Sequence, residues 1–104
     1  MKRVFWTLSA QKSLQQIYDF TSERWNEQIA EELLAQLDYR ISQIQINPEL
    51  APTFINSQFR KIVIHQSTSL FYKITPTYIK LLLVWHNRQN PNNLLQELID
   101  ADQS

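Results

Sequence analysis

The sequence predicts an α+β fold: an N-terminal strand, an αα-hairpin, then a three-stranded antiparallel meander forming one sheet with the helices on one face, and a short C-terminal helix. Three observations carry this reading. Ile29, Leu33, Leu37, Ile41 and Ile44 recur at helical spacing, with Glu27, Glu31, Glu32, Asp38 and Arg40 on the other side. Three β-prone runs, 59–65, 69–74 and 78–85, follow one another with links of three residues. A short bulky run, Val4–Leu8, stands ahead of the helices. A sheet that buries one face under a helical hairpin is an α+β arrangement.

Each element has a local cause. Val4–Leu8 is read as a strand, and Thr7 or Ser9 can cap the helix that follows. In that helix Leu14, Ile17 and Tyr18 share one face, and its end is expected near residues 20–22. The second helix is expected to start near Glu23. It must stop at Asn47-Pro48, because a residue before proline resists helical ψ. Residues 48–58, with Pro48 and Pro52, read as a connecting loop. Pro76 suits the first central position of a turn between the last two strands. Residues 87–91 form a loop, and Asn92 or Asn93 is expected to cap a last helix running to Leu98 or Ile99. Residues 1–104 read as one domain with no repeat, and 92–104 as a tail that can be mobile.

The sheet's second face poses a question. Strict alternation in the last strand sends Ile79, Leu81, Leu83 and Trp85 one way, and Lys80, Leu82, Val84 and His86 the other. With both faces apolar and one helical hairpin available, Phe71, Leu82 and Val84 form an open patch among Lys73, Lys80 and His86. Such a patch marks a partner surface. Alternatively, the last short helix folds back over it.

Composition removes whole classes of chemistry. The 104 residues contain no glycine and no cysteine, where about seven glycines are ordinary. No phosphate-cradling P-loop, dinucleotide fingerprint or G-x-S-x-G elbow is possible. Turns must instead use Pro76 and asparagines such as Asn47, Asn56, Asn87 and Asn90. Without cysteine there are no disulfides, thiol nucleophiles or Cys-ligated zinc, which fits a reducing cytoplasm. Two histidines and carboxylates confined to a helix face and a tail offer no metal-ligand spacing, and no cofactor is implied. No signal peptide is expected, and the longest apolar run, 81–85, is too short to span a membrane. Net charge is zero, yet residues 50–96 carry Arg60, Lys61, Lys73, Lys80 and Arg88 with no acidic residue. Any phosphate would therefore meet side chains on a sheet, not a backbone nest.

The ordered set resembles the ParE/RelE superfamily, the toxins of type II toxin–antitoxin modules. It comprises Trp6-Thr7-Leu8-Ser9-Ala10 followed by Leu14, Ile17 and Tyr18; the Ile-rich helix end running into Asn47-Pro48-Glu49-Leu50; Phe59-Arg60-Lys61; Leu70-Phe71-Tyr72-Lys73-Ile74; and the stretch from Leu83 to Pro91. The resemblance implies a cytoplasmic, growth-inhibiting toxin held inactive by a cognate antitoxin whose C-terminal segment wraps it. An amphipathic, acidic segment that folds on binding suits an apolar, basic face.

The resemblance implies two targets. ParE-like members inhibit DNA gyrase without cutting nucleic acid, and RelE-like members cut mRNA on the ribosome. In the second case Arg60 would contact the scissile phosphate and His86 would serve as general acid, with no metal required. Lys61, Lys73, Lys80 and Arg88, with Phe71, Leu82 and Val84, would bind nucleic acid or antitoxin. Three departures weigh against a nuclease: residues 51–59 contain no basic residue, no tyrosine follows His86, and the only carboxylate shortly before Arg60 is Glu49. The pI near 6.7 is low for a ribosome-binding nuclease. Tyr72 reads as core and His65 as surface. A third possibility is a non-toxic binding module with the toxin fold. Gyrase inhibition is favoured.

Overall fold

The computed structural model describes residues 1–103. The order is β1 (Arg3–Trp6), α1 (Leu8–Arg24), α2 (Glu27–Ile46), β2 (Phe59–His65), β3 (Thr68–Ile74), β4 (Tyr78–His86), a 3-10 turn (Pro91–Asn93) and α3 (Leu94–Asp102). The four strands form one sheet in the order β1-β4-β3-β2. The α+β class and the chain of elements are as the sequence predicts. One pairing lay beyond local sequence signals: β1 joins β4 in parallel, Arg3 opposite Tyr78 and Trp6 opposite Leu81.

Thr7 ties this junction together. Its Oγ1 accepts from the Ala10 N–H at 3.0 Å and donates to the Leu81 carbonyl at 2.8 Å. One buried hydroxyl thus starts α1 and fastens it to β4. Helix α1 runs past residue 22 to Arg24. Helix α2 starts at Glu27, not near Glu23, because the Asn26 side chain accepts from the Ile29 N–H at 2.9 Å. The α2 stripe Leu33, Leu37, Ile41 and Ile44 packs with Ile17 against Ile62, Ile64, Leu70, Tyr72, Ile79, Leu81 and Val84.

Strand β4 departs from strict alternation. Its register with β3 slips between Phe71 and Tyr72: Phe71 faces Leu83, whereas Tyr72 faces Leu81, so Leu82 is the extra residue of a bulge. Beyond it every side chain changes face. Ile79, Leu81 and Val84 pack toward α1 and α2, while Leu82, Leu83 and Trp85 pack on the opposite side. The expected grouping of Leu83 and Trp85 with Ile79 and Leu81, and of Val84 with Leu82, is therefore corrected.

The open apolar patch is corrected as well. Helix α3 extends to Asp102 and lays Leu94, Leu98 and Ala101 over Phe59, Phe71, Leu82, Leu83 and Trp85. Phe71 and Leu82 are fully buried. The cap expected from Asn92 or Asn93 is also different: Asn90 Oδ1 accepts from the Asn92 N–H, and Asn93 precedes α3 without a side-chain bond. Among the described residues, no helix is long and apolar enough to cross a membrane.

Candidate functional site

Strand β1 ends at Trp6, so β4 beyond Leu81 has no strand on that side. Helix α1 covers part of this edge, and Ser13 Oγ accepts from the Val84 N–H at 2.9 Å. Between α1, the end of β4 and the start of α3 lies a groove of about 580 Å³. Ile17, Phe20, Leu83, Val84 and Trp85 contribute its apolar wall. Lys12, His86 and Arg88 give polar and basic rims, and Glu97 is the acidic residue of the lining. Phe20 remains 48% exposed, with the Arg24 guanidinium 5.9 Å from its ring centroid. Leu83 and Trp85 reach the groove from one sheet face and Val84 from the other.

His86 sits at the groove's end. Its ring meets Phe20 edge-on at 6.1 Å, and its Nδ1 accepts from the Arg88 N–H at 3.1 Å. Partial burial, then the nearby Arg88 charge, pull its pKa below the ordinary value. The imidazole is therefore neutral at pH 7, with Nδ1 accepting and Nε2 carrying the proton.

Arg60 is elsewhere. It stands opposite Tyr72, and Tyr72 opposite Leu81, whereas His86 stands opposite Thr68. That is four residues along the sheet and two strands across, about 16 Å between backbone positions at a rise of roughly 3.3 Å and a strand spacing of roughly 4.8 Å. The Arg60 guanidinium donates to the Ala51 carbonyl at 2.6 Å, turned toward the 48–58 segment. The Tyr72 hydroxyl donates to the Pro48 carbonyl at 2.7 Å. Burial raises the Tyr72 pKa, against the opposing effects of the Ala51 backbone and Arg60. These two side chains anchor a strap along the edge of β2. Tyr72 is core, as its neighbours in sequence implied.

The other basic residues do not converge either. On the α3 side, Lys73 and Lys80 hold Asp102 at 2.9 and 3.1 Å, and Lys80 also donates to the Asp102 backbone carbonyl. Lys61 lies 6.0 Å from the Phe71 ring centroid. Only His86 and Arg88 of the predicted polar set line the groove, joined there by Leu83, Val84 and Trp85. Lys12, Ser13 and Phe20 were missed as groove residues. Their spacing of seven to eight along α1 is the signal that they share a face. Among the described residues no cluster of three or more His, Asp or Glu is placed to hold a metal.

The same fold occurs in solved toxin–antitoxin structures. One is a chain of the chromosomal ParDE system from P. aeruginosa, with a TM-score of 0.71 and 16% identity over 83% of this chain and 96% of that one. Another is a chain of the E. coli DinJ-YafQ complex, with a TM-score of 0.57 and 13% identity over 82% and 91%. No curated protein matches the sequence. The sequence model of the ParE toxin family of type II toxin–antitoxin systems matches residues 4–91, and the chain belongs to that family.

Proposed function

We propose that this chain is a cytoplasmic toxin that inhibits DNA gyrase by binding it, without chemistry of its own, and is neutralised by a cognate antitoxin seated in the α1–β4–α3 groove. The observation that carries the reading is the separation of Arg60 from His86. General acid catalysis of phosphodiester cleavage needs the proton donor and the phosphate-stabilising cation at one phosphate. Here they stand about 16 Å apart in backbone position, judged from strand geometry, and Arg60 is bonded to the strap. Lys73 and Lys80 are taken up by Asp102 and so are poor phosphate ligands. Membership of the ParE family favours the same target.

The groove suits an antitoxin segment with apolar residues toward Phe20, Val84 and Trp85 and acidic residues toward Lys12 and Arg88. The test is expression of the chain alone and with its neighbouring open reading frame. The chain alone should arrest growth with loss of negative supercoiling, and the neighbour should restore both. Lys12→Glu combined with Arg88→Glu should keep the arrest but weaken rescue. Full rescue of that variant would remove the groove assignment, and arrest with normal supercoiling would remove gyrase as target.

A further inference from the structure

Among the described residues, it is the strap whose backbone enters the left-handed region. Ile55 and Asn56 are the non-glycine residues with positive φ, at 49° and 50°. The Ser57 N–H donates to the Phe54 carbonyl at 3.0 Å, closing a tight turn with these two at its centre. Two consecutive positive φ values define the turn that glycine, asparagine and aspartate favour. Asn56 fits. Ile55 does not: a β-branched side chain is among the worst choices for left-handed backbone. Nor does burial compensate, since Ile55 is 69% exposed.

The turn is braced from below. Phe54 meets Phe71 edge-on at 5.0 Å, the Phe54 N–H donates to the Phe59 carbonyl at 2.7 Å, and Arg60 holds the Ala51 carbonyl. A strained residue that offers its apolar side chain to solvent from a fixed support costs stability and returns nothing within the fold. The turn also lies far from the groove. It precedes Phe59, which is level with Lys73 and Lys80, five residues along β3 from the level of His86 and two strands across, or about 19 Å at a rise of roughly 3.3 Å and a spacing of roughly 4.8 Å.

We infer that Ile55 is a preorganised apolar anchor that enters a pocket on the toxin's target protein, on a surface separate from the antitoxin groove. This rests on the reading that the chain acts by binding a protein target. The bracing contacts lower the ordering cost that an unsupported loop would incur on binding. The partner surface it fits is an apolar pocket rimmed by acceptors for the Asn56 amide and for Lys61, which follows the strap-bound Arg60 along β2.

The test compares Ile55→Asn, Ile55→Gly and Ile55→Leu with Ile46→Asn, an exposed apolar position at the end of α2. Each full-length variant is scored for melting temperature, cellular abundance, growth arrest and affinity for the co-expressed antitoxin. Ile55→Asn and Ile55→Gly should melt at or above the parent temperature, because the turn is relieved, and bind antitoxin unchanged. Yet they should lose growth arrest, with target inhibition weakened roughly tenfold or more. Ile55→Leu should keep most toxicity, and Ile46→Asn all of it. Full toxicity of stable Ile55→Asn overturns the inference, as does a loss confined to antitoxin affinity or a parent chain that leaves growth untouched. Arrest with normal supercoiling would instead remove gyrase as target, while the Ile55 comparison would still be decided by growth.

Discussion

Leu98→Ala tests whether α3 is an integral cover of the second sheet face. Leu98 is fully buried against the cluster of Phe71, Leu82, Leu83 and Trp85, and its neighbour Ile99 is 37% exposed. Truncation to alanine removes three carbons, about 2.4 kcal/mol at roughly 0.8 kcal/mol per buried methylene. The cavity left behind adds to this, and Leu→Ala changes in cores cost about 2–5 kcal/mol. A loss of about 2.5–3.5 kcal/mol is expected, in the lower half of that range. That is a large part of the roughly 5–15 kcal/mol a domain possesses. Urea unfolding followed by circular dichroism should show a lower midpoint with an unchanged slope. Ile99→Ala should cost less than about 1 kcal/mol. If Leu98→Ala costs no more than Ile99→Ala, α3 does not cover the sheet in solution and the face stands open.

Three further expectations concern charge and hydrogen bonding. Burial raises the Asp102 pKa, but hydrogen bonds and charge from Lys73 and Lys80 outweigh it and hold the carboxyl below its usual value. Its folded pKa is thus depressed, so its stabilisation is present above the unfolded value near 4 and is lost as pH falls through the folded one. Asp102→Asn should flatten that acid limb in pH-dependent melting and lower stability by about 1–2 kcal/mol at pH 7, between the ranges for surface and buried pairs. Tyr72→Phe leaves the Pro48 carbonyl without its donor and should cost about 0.5–1.5 kcal/mol in chemical unfolding. His86 should titrate below pH 6.5 by NMR, and Arg88→Ala should raise its pKa by removing a like charge.

Much of the architecture was legible because its signals are local. The α2 stripe, the three strand runs, the Pro48 stop and a turn at Asn56 each follow from spacing or from one residue's backbone preference. What escaped depends on contacts between distant residues. The Leu82 bulge is invisible in a run of apolar residues, since Leu81, Leu82, Leu83 and Val84 suit either face. One extra residue there moved Val84 from the expected open patch into the main core and carried Leu83 and Trp85 the other way. The basic block suffered similarly. Five cations without an acidic residue between them suggest one surface, but Lys73 and Lys80 are met by Asp102 from the tail, 22 or more positions away. The resemblance singled out Arg60 as a contact for a phosphate, whereas the structure engages it with the strap. Its hydrogen bond to the Ala51 carbonyl required the strap to fold back along β2, and no spacing rule announces that. The left-handed Ile55 was hidden for the opposite reason: its residue type argues against the conformation it adopts.

The most direct measurement is DNA supercoiling by purified gyrase with increasing amounts of this protein, run beside translation of a defined mRNA on purified ribosomes. Supercoiling should fall as the protein is added and recover when the cognate antitoxin is supplied, while the transcript stays intact. Unchanged supercoiling with a cleaved transcript, and cleavage abolished by Arg60→Ala or His86→Ala, would contradict the separation of those two side chains and make the protein a nuclease.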